Sequence, residues 1–205
     1  MMTTVKFIDL FCGMGSFHYS FKKLGWECVM ACDSEKTAQN VYHHNFNVNP
    51  LGDINNINIE DIPEYDILCS GNPCQSFSSI GNRRGLEDER GNLFYKVFDI
   101  IDKTRPKVAI FENVSTLLTH DRGNTFKTIT EELKKLKYTY HYKVLKCSDY
   151  GIPQMRKRIF VICIREDVST TNIENIFKLD DYVKTVSLST YLGKNFSKNV
   201  AYTIR

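Results

Sequence analysis

The sequence lacks long apolar runs and an amino-terminal leader. No stretch approaches the roughly 18 apolar residues of a membrane-spanning helix. Residues 1–6 contain neither the basic nor the apolar segment of a secretory signal. Repeats and low-complexity linkers are missing as well. These absences predict an intracellular, cytoplasmic protein that does not associate with a membrane.

Cysteine pairs of the zinc-binding kind are also missing. The seven cysteines include no Cys-x-x-Cys pair, and no histidine pair follows at zinc-finger spacing. We therefore expect no metal site. Cys69 and Cys163 lie in apolar runs, where free thiols behave as small hydrophobic residues. An odd number of cysteines agrees with an intracellular protein.

Neither positive nor negative charge is in large excess. The chain has 27 basic and 24 acidic residues, a net charge of +3. That excess permits a nucleic-acid partner if the basic residues cluster, but it does not identify one. With 205 residues, of which 42% are hydrophobic and 25% charged, the chain has the composition of a globular domain. A disordered tail, a fibre and a coiled-coil rod are excluded.

Short apolar strands alternate with segments of helical periodicity. Strands are predicted at 5–10, 27–32, 65–69, 108–111, 140–145 and 159–164, and helices at 17–24, 34–46, 93–101 and 125–136. This alternation predicts an α/β fold with a doubly wound, mostly parallel sheet. The polar, weakly periodic residues 166–205 indicate that the domain core ends near Arg165.

A glycine turn follows the first predicted strand. Gly13 and Gly15 let the backbone approach a ligand, and Ser16 is the predicted N-cap of the next helix. Asp33 follows Gly13 by 20 residues, where an acid reaches a ribose hydroxyl pair in this topology. The third glycine of a dinucleotide fingerprint is missing. We favour a nucleoside-containing cofactor over a purely structural turn. Asp53 is predicted either to contact the base or to cap a turn.

A stiff polar loop follows the third predicted strand. Pro73 fixes its own φ and holds Asn72 extended, so Cys74 is presented by a rigid backbone. Such a loop suits a nucleophilic thiolate. A buried filler cysteine is the alternative, and the polar neighbours argue against it. The loop contains no histidine, which argues against a cysteine-protease pairing.

An acid after a further strand and two arginines near the last strand are candidate site residues. Glu112 follows the strand at 108–111, so we expect it at the same sheet edge, with a helix-capping role as the alternative. Arg156 and Arg158 are two residues apart and lie on one face if the last strand starts that early. A solvated basic edge is the alternative.

Taken together, these motifs resemble the cytosine-C5 DNA methyltransferases. The matching segments are Asp-Leu-Phe-Cys-Gly-Met-Gly-Ser at 9–16, Pro-Cys-Gln-Ser-Phe-Ser at 73–78, Arg-Gly-Asn-Leu-Phe at 90–94, Glu-Asn-Val at 112–114 and Gln-Met-Arg-Lys-Arg at 154–158. They occur in the family's order and cover residues 5 to about 164. The resemblance implies the Rossmann-like methyltransferase fold, with residues 1–165 as the catalytic domain.

The resemblance implies S-adenosyl-L-methionine as cofactor and double-stranded DNA as partner. The implied cofactor-binding positions are Phe11, Gly13, Gly15, Asp33, Asp53, Ile54, Pro73 and Leu93. The implied catalytic positions are Cys74, Glu112, Arg156 and Arg158. The implied DNA contacts are Gln75, Ser78, Arg83 and Arg84, the last two in a glycine-containing loop suited to phosphate contact.

The resemblance also implies a mechanism. The Cys74 thiolate attacks carbon 6 of a cytosine flipped out of the duplex, and carbon 5 then takes the methyl group. Glu112 acts near ring N3, Arg158 binds the cytosine carbonyl, and Arg156 supports the loop. The family's tRNA-methylating branch offers RNA as an alternative substrate, and an inactive cofactor- or DNA-binding domain is a further alternative.

The chain departs from the family at its end. Family members continue into a target recognition region and return with a glycine-containing motif and a last helix. Here about forty residues follow Arg165, and 166–205 is predicted as a linker and the start of that region. A split restriction-modification methyltransferase, a truncated product and a fragment of a longer protein remain open. Each predicts a second chain or a missing C-terminal region, and little activity from this chain alone.

Overall fold

A six-stranded sheet with helices on both faces organises the computed structural model, which describes residues 4–73 and 92–168. Its strands are β1 Lys6–Leu10, β2 Glu27–Cys32, β3 Ile67–Ser70, β4 Val108–Val114, β5 Tyr138–Lys146 and β6 Lys157–Arg165. Its helices are α1 Ser16–Lys22, α2 Lys36–Phe46, α3 Asn92–Thr104 and α4 Asn124–Lys135. Among these helices, none is long and apolar enough to cross a membrane.

The strand order is β2-β1-β3-β4-β6-β5. The pairs β1–β2, β1–β3 and β3–β4 are parallel, whereas β6 runs antiparallel to both β4 and β5. The predicted α/β fold with a mostly parallel sheet is therefore confirmed. The parallel strands end at one edge of the sheet, and ligands of doubly wound folds bind outside that edge.

The two faces of the sheet bury different helices. Phe7 packs with Phe17 and Phe21 of α1, while its neighbour Ile8 belongs to the larger core that includes Val97 of α3 and Leu133 of α4. Successive strand residues point to opposite faces, so central strands covered on both sides must be apolar throughout. Residues 7–10 follow this rule except for Asp9, which is 1% exposed.

Two local predictions are wrong. Ser16 is not the N-cap of α1: the cap is Gly15, at φ +90°, and no side chain caps the helix. Glu112 does not follow its strand, because β4 continues to Val114 and pairs with β6 along its whole length. Glu112 is therefore a strand residue, which removes the helix-capping alternative.

The cysteine predictions agree with the core. Cys69 and Cys163 are fully buried, and burial raises the pKa of both thiols well above the ordinary value. The six cysteines in the described residues are free thiols. Cys74 lies outside the described residues, as does the predicted C-terminal segment from residue 169 onward.

Candidate active site

The glycine turn leaves β1 at the carboxyl edge of the sheet. Phe11 and Gly13 both have left-handed backbones, at φ +54° and +53°. The Gly13 amide donates to Asp33 Oδ2 at 2.8 Å, and Asp33 Oδ1 accepts from the Glu35 amide at 2.9 Å. Gly13 and Asp33, 20 residues apart in the sequence, are thus joined by a direct hydrogen bond, and the ribose contact of Asp33 remains a prediction. Each carboxylate oxygen accepts more than one hydrogen bond, so these contacts leave Asp33 able to bind a ribose hydroxyl.

The two glycines of the turn serve different purposes. A Cβ added to Gly13 would have no atom within 4 Å, so this part of the turn faces open space. A Cβ added to Gly15 would lie 2.1 Å from the Phe46 ring and 3.0 Å from the Tyr42 ring. Gly13 therefore leaves room for a ligand, whereas Gly15 lets α1 approach α2.

Asp53 and Ile54 stand beside the end of β2. Leu51 forms a bridge with Cys32, and the Asp33 amide donates to the Leu51 carbonyl at 3.1 Å. Asp53 caps the short 3₁₀ turn Ile54–Asn56 by accepting from the Asn55 amide at 2.8 Å. The capping role is therefore observed. The predicted contact of Asp53 with a base remains a prediction.

Glu112 and the two arginines meet across β4 and β6. Arg158 Nε lies 2.8 Å from Glu112 Oε1, and Arg156 Nη2 lies 4.0 Å from the same oxygen. Both Arg158 and Glu112 are only about one quarter exposed. Arg156 precedes β6, so strand alternation does not place it on this face as the sequence suggested. The structure nevertheless brings all three side chains together.

The loop that leads to Cys74 begins against the glycine turn. The Gly71 amide donates to the Leu10 carbonyl at 3.1 Å, and a Cβ on Gly71 would lie 3.4 Å from the Phe11 carbonyl oxygen. Pro73 is exposed and Leu93 is half-buried. The predicted residues that lie outside the described residues are Cys74, Gln75, Ser78, Arg83 and Arg84.

Sequence reasoning missed the buried polar residues of this edge. Asn113 Nδ2 donates to the Asn72 carbonyl at 2.8 Å, and Ser70 Oγ donates to Asn72 Oδ1 at 2.5 Å. Asp9 lies behind the glycine turn, where burial raises the pKa of its carboxyl well above the ordinary value and the charge of Asp33 adds to the effect. Two features of the sequence could have revealed these residues: an asparagine beside Pro73 and an aspartate within an apolar strand.

A cleft of about 630 Å³ joins the glycine turn to the Glu112–Arg158 pair. Phe11 and Gly13 line one part of it, and Glu112 and Arg158 line another. Its walls also include apolar side chains of α1, β4 and β6, namely Phe17, Phe21, Ile110 and Phe160. One part of the cleft is thus the glycine turn, whose Gly13 amide donates to Asp33, and another part carries an acid with a paired cation.

The sequence of this chain is similar to those of known proteins. Residues 5–204 match the family model of C-5 cytosine-specific DNA methylases. Type II methyltransferase M.HhaI of Haemophilus parahaemolyticus is 43% identical over 189 residues, which are 91% of this chain and 58% of that protein. Type II methyltransferase M.DsaV of Dactylococcopsis salina is 39% identical over 202 residues, 98% of this chain and 56% of that protein.

Solved structures share the fold. The S. pombe Dnmt2 methyltransferase has a TM-score of 0.71 at 20% identity, over 88% of this chain and 58% of that one. The Entamoeba histolytica methyltransferase EhMeth has a TM-score of 0.70 at 22% identity, over 96% of this chain and 62% of that one. The chain spans about half the length of the curated relatives it matches.

Proposed function

Because the chain belongs to the C-5 cytosine-specific DNA methylase family, we propose that it carries the catalytic portion of an enzyme that methylates carbon 5 of cytosine in double-stranded DNA. The observation that carries this proposal is the cleft lined by Phe11 and Gly13 of the glycine turn and by Glu112 and Arg158. Asp33 accepts a hydrogen bond from the Gly13 amide of that turn. The glycine turn proposed to bind the cofactor and the acid proposed to act on the base therefore border one space.

S-adenosylmethionine is the methyl donor of this family, and the residues of the turn fit it. Asp33 keeps acceptor capacity for the ribose hydroxyls, and Gly13 leaves open space beside them. The remaining residues proposed to bind the donor are Phe11, Gly15, Asp53, Ile54, Pro73 and Leu93. When bound, the donor supplies an electrophilic methyl group attached to a positively charged sulfur.

The proposed chemistry begins at Cys74. Carbon 5 of cytosine is a poor nucleophile, and addition of the Cys74 thiolate to carbon 6 makes it enamine-like. After carbon 5 has taken the methyl group, loss of its proton to a base and cleavage of the carbon–sulfur bond release the thiolate and restore the aromatic ring. The buried cysteines are unsuited to this step, since burial raises the pKa of Cys32 to about 12.

Glu112 is proposed to act on ring N3, where the adduct accumulates negative charge. A proton shared between the carboxyl group and N3 would stabilise that charge. The 2.8 Å contact with Arg158 Nε fixes the orientation of the carboxylate. Arg158 is also proposed to reach the cytosine carbonyl, and Arg156, exposed beside the pair, to support the loop.

The target atom lies inside the base stack, so the proposal includes flipping of the cytosine out of the duplex, which costs a few kcal/mol. Gln75, Ser78, Arg83 and Arg84 are proposed to contact the DNA. A second chain or a further C-terminal region is proposed to supply the target recognition region. The half-buried Ile110 and Phe160 on the α1 face support this, because they leave apolar surface for another segment to cover.

The named relatives, which are Type II methyltransferases, support a restriction-modification role. They do not favour the two alternatives, an RNA substrate and an inactive binding domain.

Covalent trapping on DNA that carries 5-fluorocytosine tests the proposal. Fluorine replaces the carbon-5 proton, so the enzyme cannot be released after methyl transfer. The chain, supplied with its target recognition region or partner chain and with the donor, should form a gel-stable adduct. Cys74→Ala should form none, Glu112→Gln should form it about a hundredfold more slowly, and Cys28→Ala, which changes a cysteine that does not line the cleft, should behave as wild type. Wild-type protein that binds donor and DNA but forms no adduct would refute the catalytic assignment.

A further inference from the structure

A buried polar cluster lies beneath the loop that leaves β3. Ser70 ends β3, Asn72 lies two residues further, and Asn113 stands near the carboxyl end of β4. Their exposed fractions are 0%, 4% and 5%. We call these three residues the amide bridge. Buried polar clusters of this kind contribute to structural uniqueness when their hydrogen bonds are made.

The amide bridge holds Asn72 by both its main chain and its side chain. Asn113 Nδ2 donates to the Asn72 carbonyl at 2.8 Å, and Ser70 Oγ donates to Asn72 Oδ1 at 2.5 Å. Asn113 is itself oriented by the Val114 amide, which donates to its Oδ1 at 2.7 Å. The backbone before Pro73 is therefore connected to the strand residue that follows Glu112.

The bridge leaves one donor unsatisfied. Asn72 Nδ2 is buried and has no hydrogen-bond partner among residues 4–73 and 92–168. A buried donor without a partner costs about 1–3 kcal/mol, and each such group in a native structure calls for an explanation. A leucine of similar size would fill the same space without that cost. The placement of the loop, rather than stability, accounts for an asparagine at this position.

We propose that Ser70, Asn72 and Asn113 are positioning residues that set the backbone leading to Cys74 relative to Glu112. This inference rests on the proposed function of those two residues. The bridge spans 41 residues of sequence and ends one residue from Glu112 and two from Cys74. A displacement of about 1 Å at a reacting group costs about a hundredfold in rate. A fixed link between the backbone before Cys74 and the strand that carries Glu112 would limit such displacements.

The bond between Asn113 and Asn72 is tested by Asn113→Asp. Aspartate keeps the acceptor for the Val114 amide but loses the donor to the Asn72 carbonyl. Asn72→Ala tests the same bridge by a different change, because it removes the contact with Ser70 and keeps the backbone bond. Asn124→Asp is the matched control, since Asn124 is exposed and lies at the start of α4, away from the site.

Alkylation by iodoacetamide, followed by peptide mass spectrometry on the full chain, measures the effect without DNA. We expect the Cys74 rate in Asn113→Asp and Asn72→Ala to change at least threefold from wild type, because thiolate fraction and access follow the position of the loop. The half-buried Cys28, which does not line the cleft and whose pKa burial raises to about 11, is the internal reference that should keep its rate. General unfolding would instead accelerate all cysteines together.

Two outcomes separate this inference from the proposed function. Unchanged Cys74 alkylation in both variants overturns the positioning role, whatever the DNA assay gives. In the trapping assay, wild type should form the adduct and Asn113→Asp should form it at least tenfold more slowly, with donor affinity within twofold of wild type. Absence of the wild-type adduct refutes the catalytic assignment, while the alkylation result still decides whether the bridge positions Cys74.

Discussion

At the scale of single residues, Asp9 places a carboxyl group where almost no water reaches it. It is 1% exposed, the backbone amide of His18 hydrogen-bonds to it, and its Oδ2 has no partner in the described part of the chain. Burial is the largest cause of its raised pKa, and the negative charge of Asp33 adds to it. The two acids therefore have opposite surroundings: Asp33 is partly exposed, whereas Asp9 is buried behind the glycine turn.

The raised pKa of Asp9 predicts a pH-dependent stability. Between the ordinary carboxyl pKa of 3.8 and the higher folded value, the unfolded chain has released the proton and the folded chain retains it. Stability therefore falls as pH rises through this window. Asp9→Asn removes the titration, so its melting temperature relative to wild type should be higher at about pH 8 than at about pH 4.

Differential scanning fluorimetry across that pH range measures this difference. Asp102→Asn, a change of the same kind at an exposed position of α3, is the control and should follow wild type at every pH. A difference between Asp9→Asn and wild type that stays constant with pH would contradict the buried titration.

Asp33 gives a second prediction at this scale. Asp33→Ala removes the acceptor of the Gly13 amide and the proposed ribose contact together, so donor affinity should fall by about tenfold to a hundredfold. Isothermal titration with S-adenosylmethionine measures the affinity. Glu35→Gln is the control, because its exposed side chain is changed while its amide still donates to position 33. Wild-type affinity in Asp33→Ala would exclude the ribose role.

At the scale of elements, the approach of α1 to α2 depends on Gly15. Its φ of +90° is costly for any residue with a Cβ, by roughly 1–2 kcal/mol. A methyl group there would also lie 2.1 Å from the Phe46 ring. Local sequence favoured Ser16 as the cap, but the packing of the turn on Phe46 and Tyr42 placed the cap one residue earlier.

Gly15→Ala should therefore destabilise the protein more than a comparable glycine change. We expect a loss of about 2–5 kcal/mol in the free energy of unfolding, the sum of backbone strain and overpacking. Gly25→Ala is the control, since φ is +75° there and nothing lies within 4 Å of the added Cβ. Urea unfolding measures both, and equal losses in the two variants would mean that Phe46 moves aside without cost.

At the scale of the whole molecule, the α1 face of the sheet carries apolar residues that the described elements only half cover. Ile110, Phe160 and Ile162 are each half-buried, and the first two line the cleft. Exposed apolar surface of this kind marks interfaces or leads to association. A net charge of +3 gives little repulsion against self-association.

Phe160→Ser should reduce self-association of the isolated chain and weaken binding of the segment or chain that is proposed to cover this face. Sedimentation velocity at increasing concentration measures the first effect, with wild type expected to associate and the variant to remain more monomeric. Tyr142→Ser is the control, because Tyr142 is 47% exposed and packs against Phe126 of α4 instead. Equal association of wild type and Phe160→Ser would place the interface elsewhere.

The sequence by itself determined those features that depend on interactions between residues close together in the chain. Apolar strands, helical periodicity and glycines for left-handed turns depend on neighbours in the chain. Ordered motifs were also enough to identify the family. The direction of β6 could not be predicted from the sequence, because its apolar pattern is the same whether the strand runs parallel or antiparallel to β4.

Only the tertiary structure decided which distant groups meet. The pairing of β4 with β6 brings Arg158 to Glu112, and the bond from Gly13 to Asp33 closes the turn against β2. The fold also joins Asn113 to the Asn72 carbonyl by a hydrogen bond that neither residue reveals in the sequence. The physical reason is that strand order, direction and register follow from burial of the whole core, which no local pattern specifies.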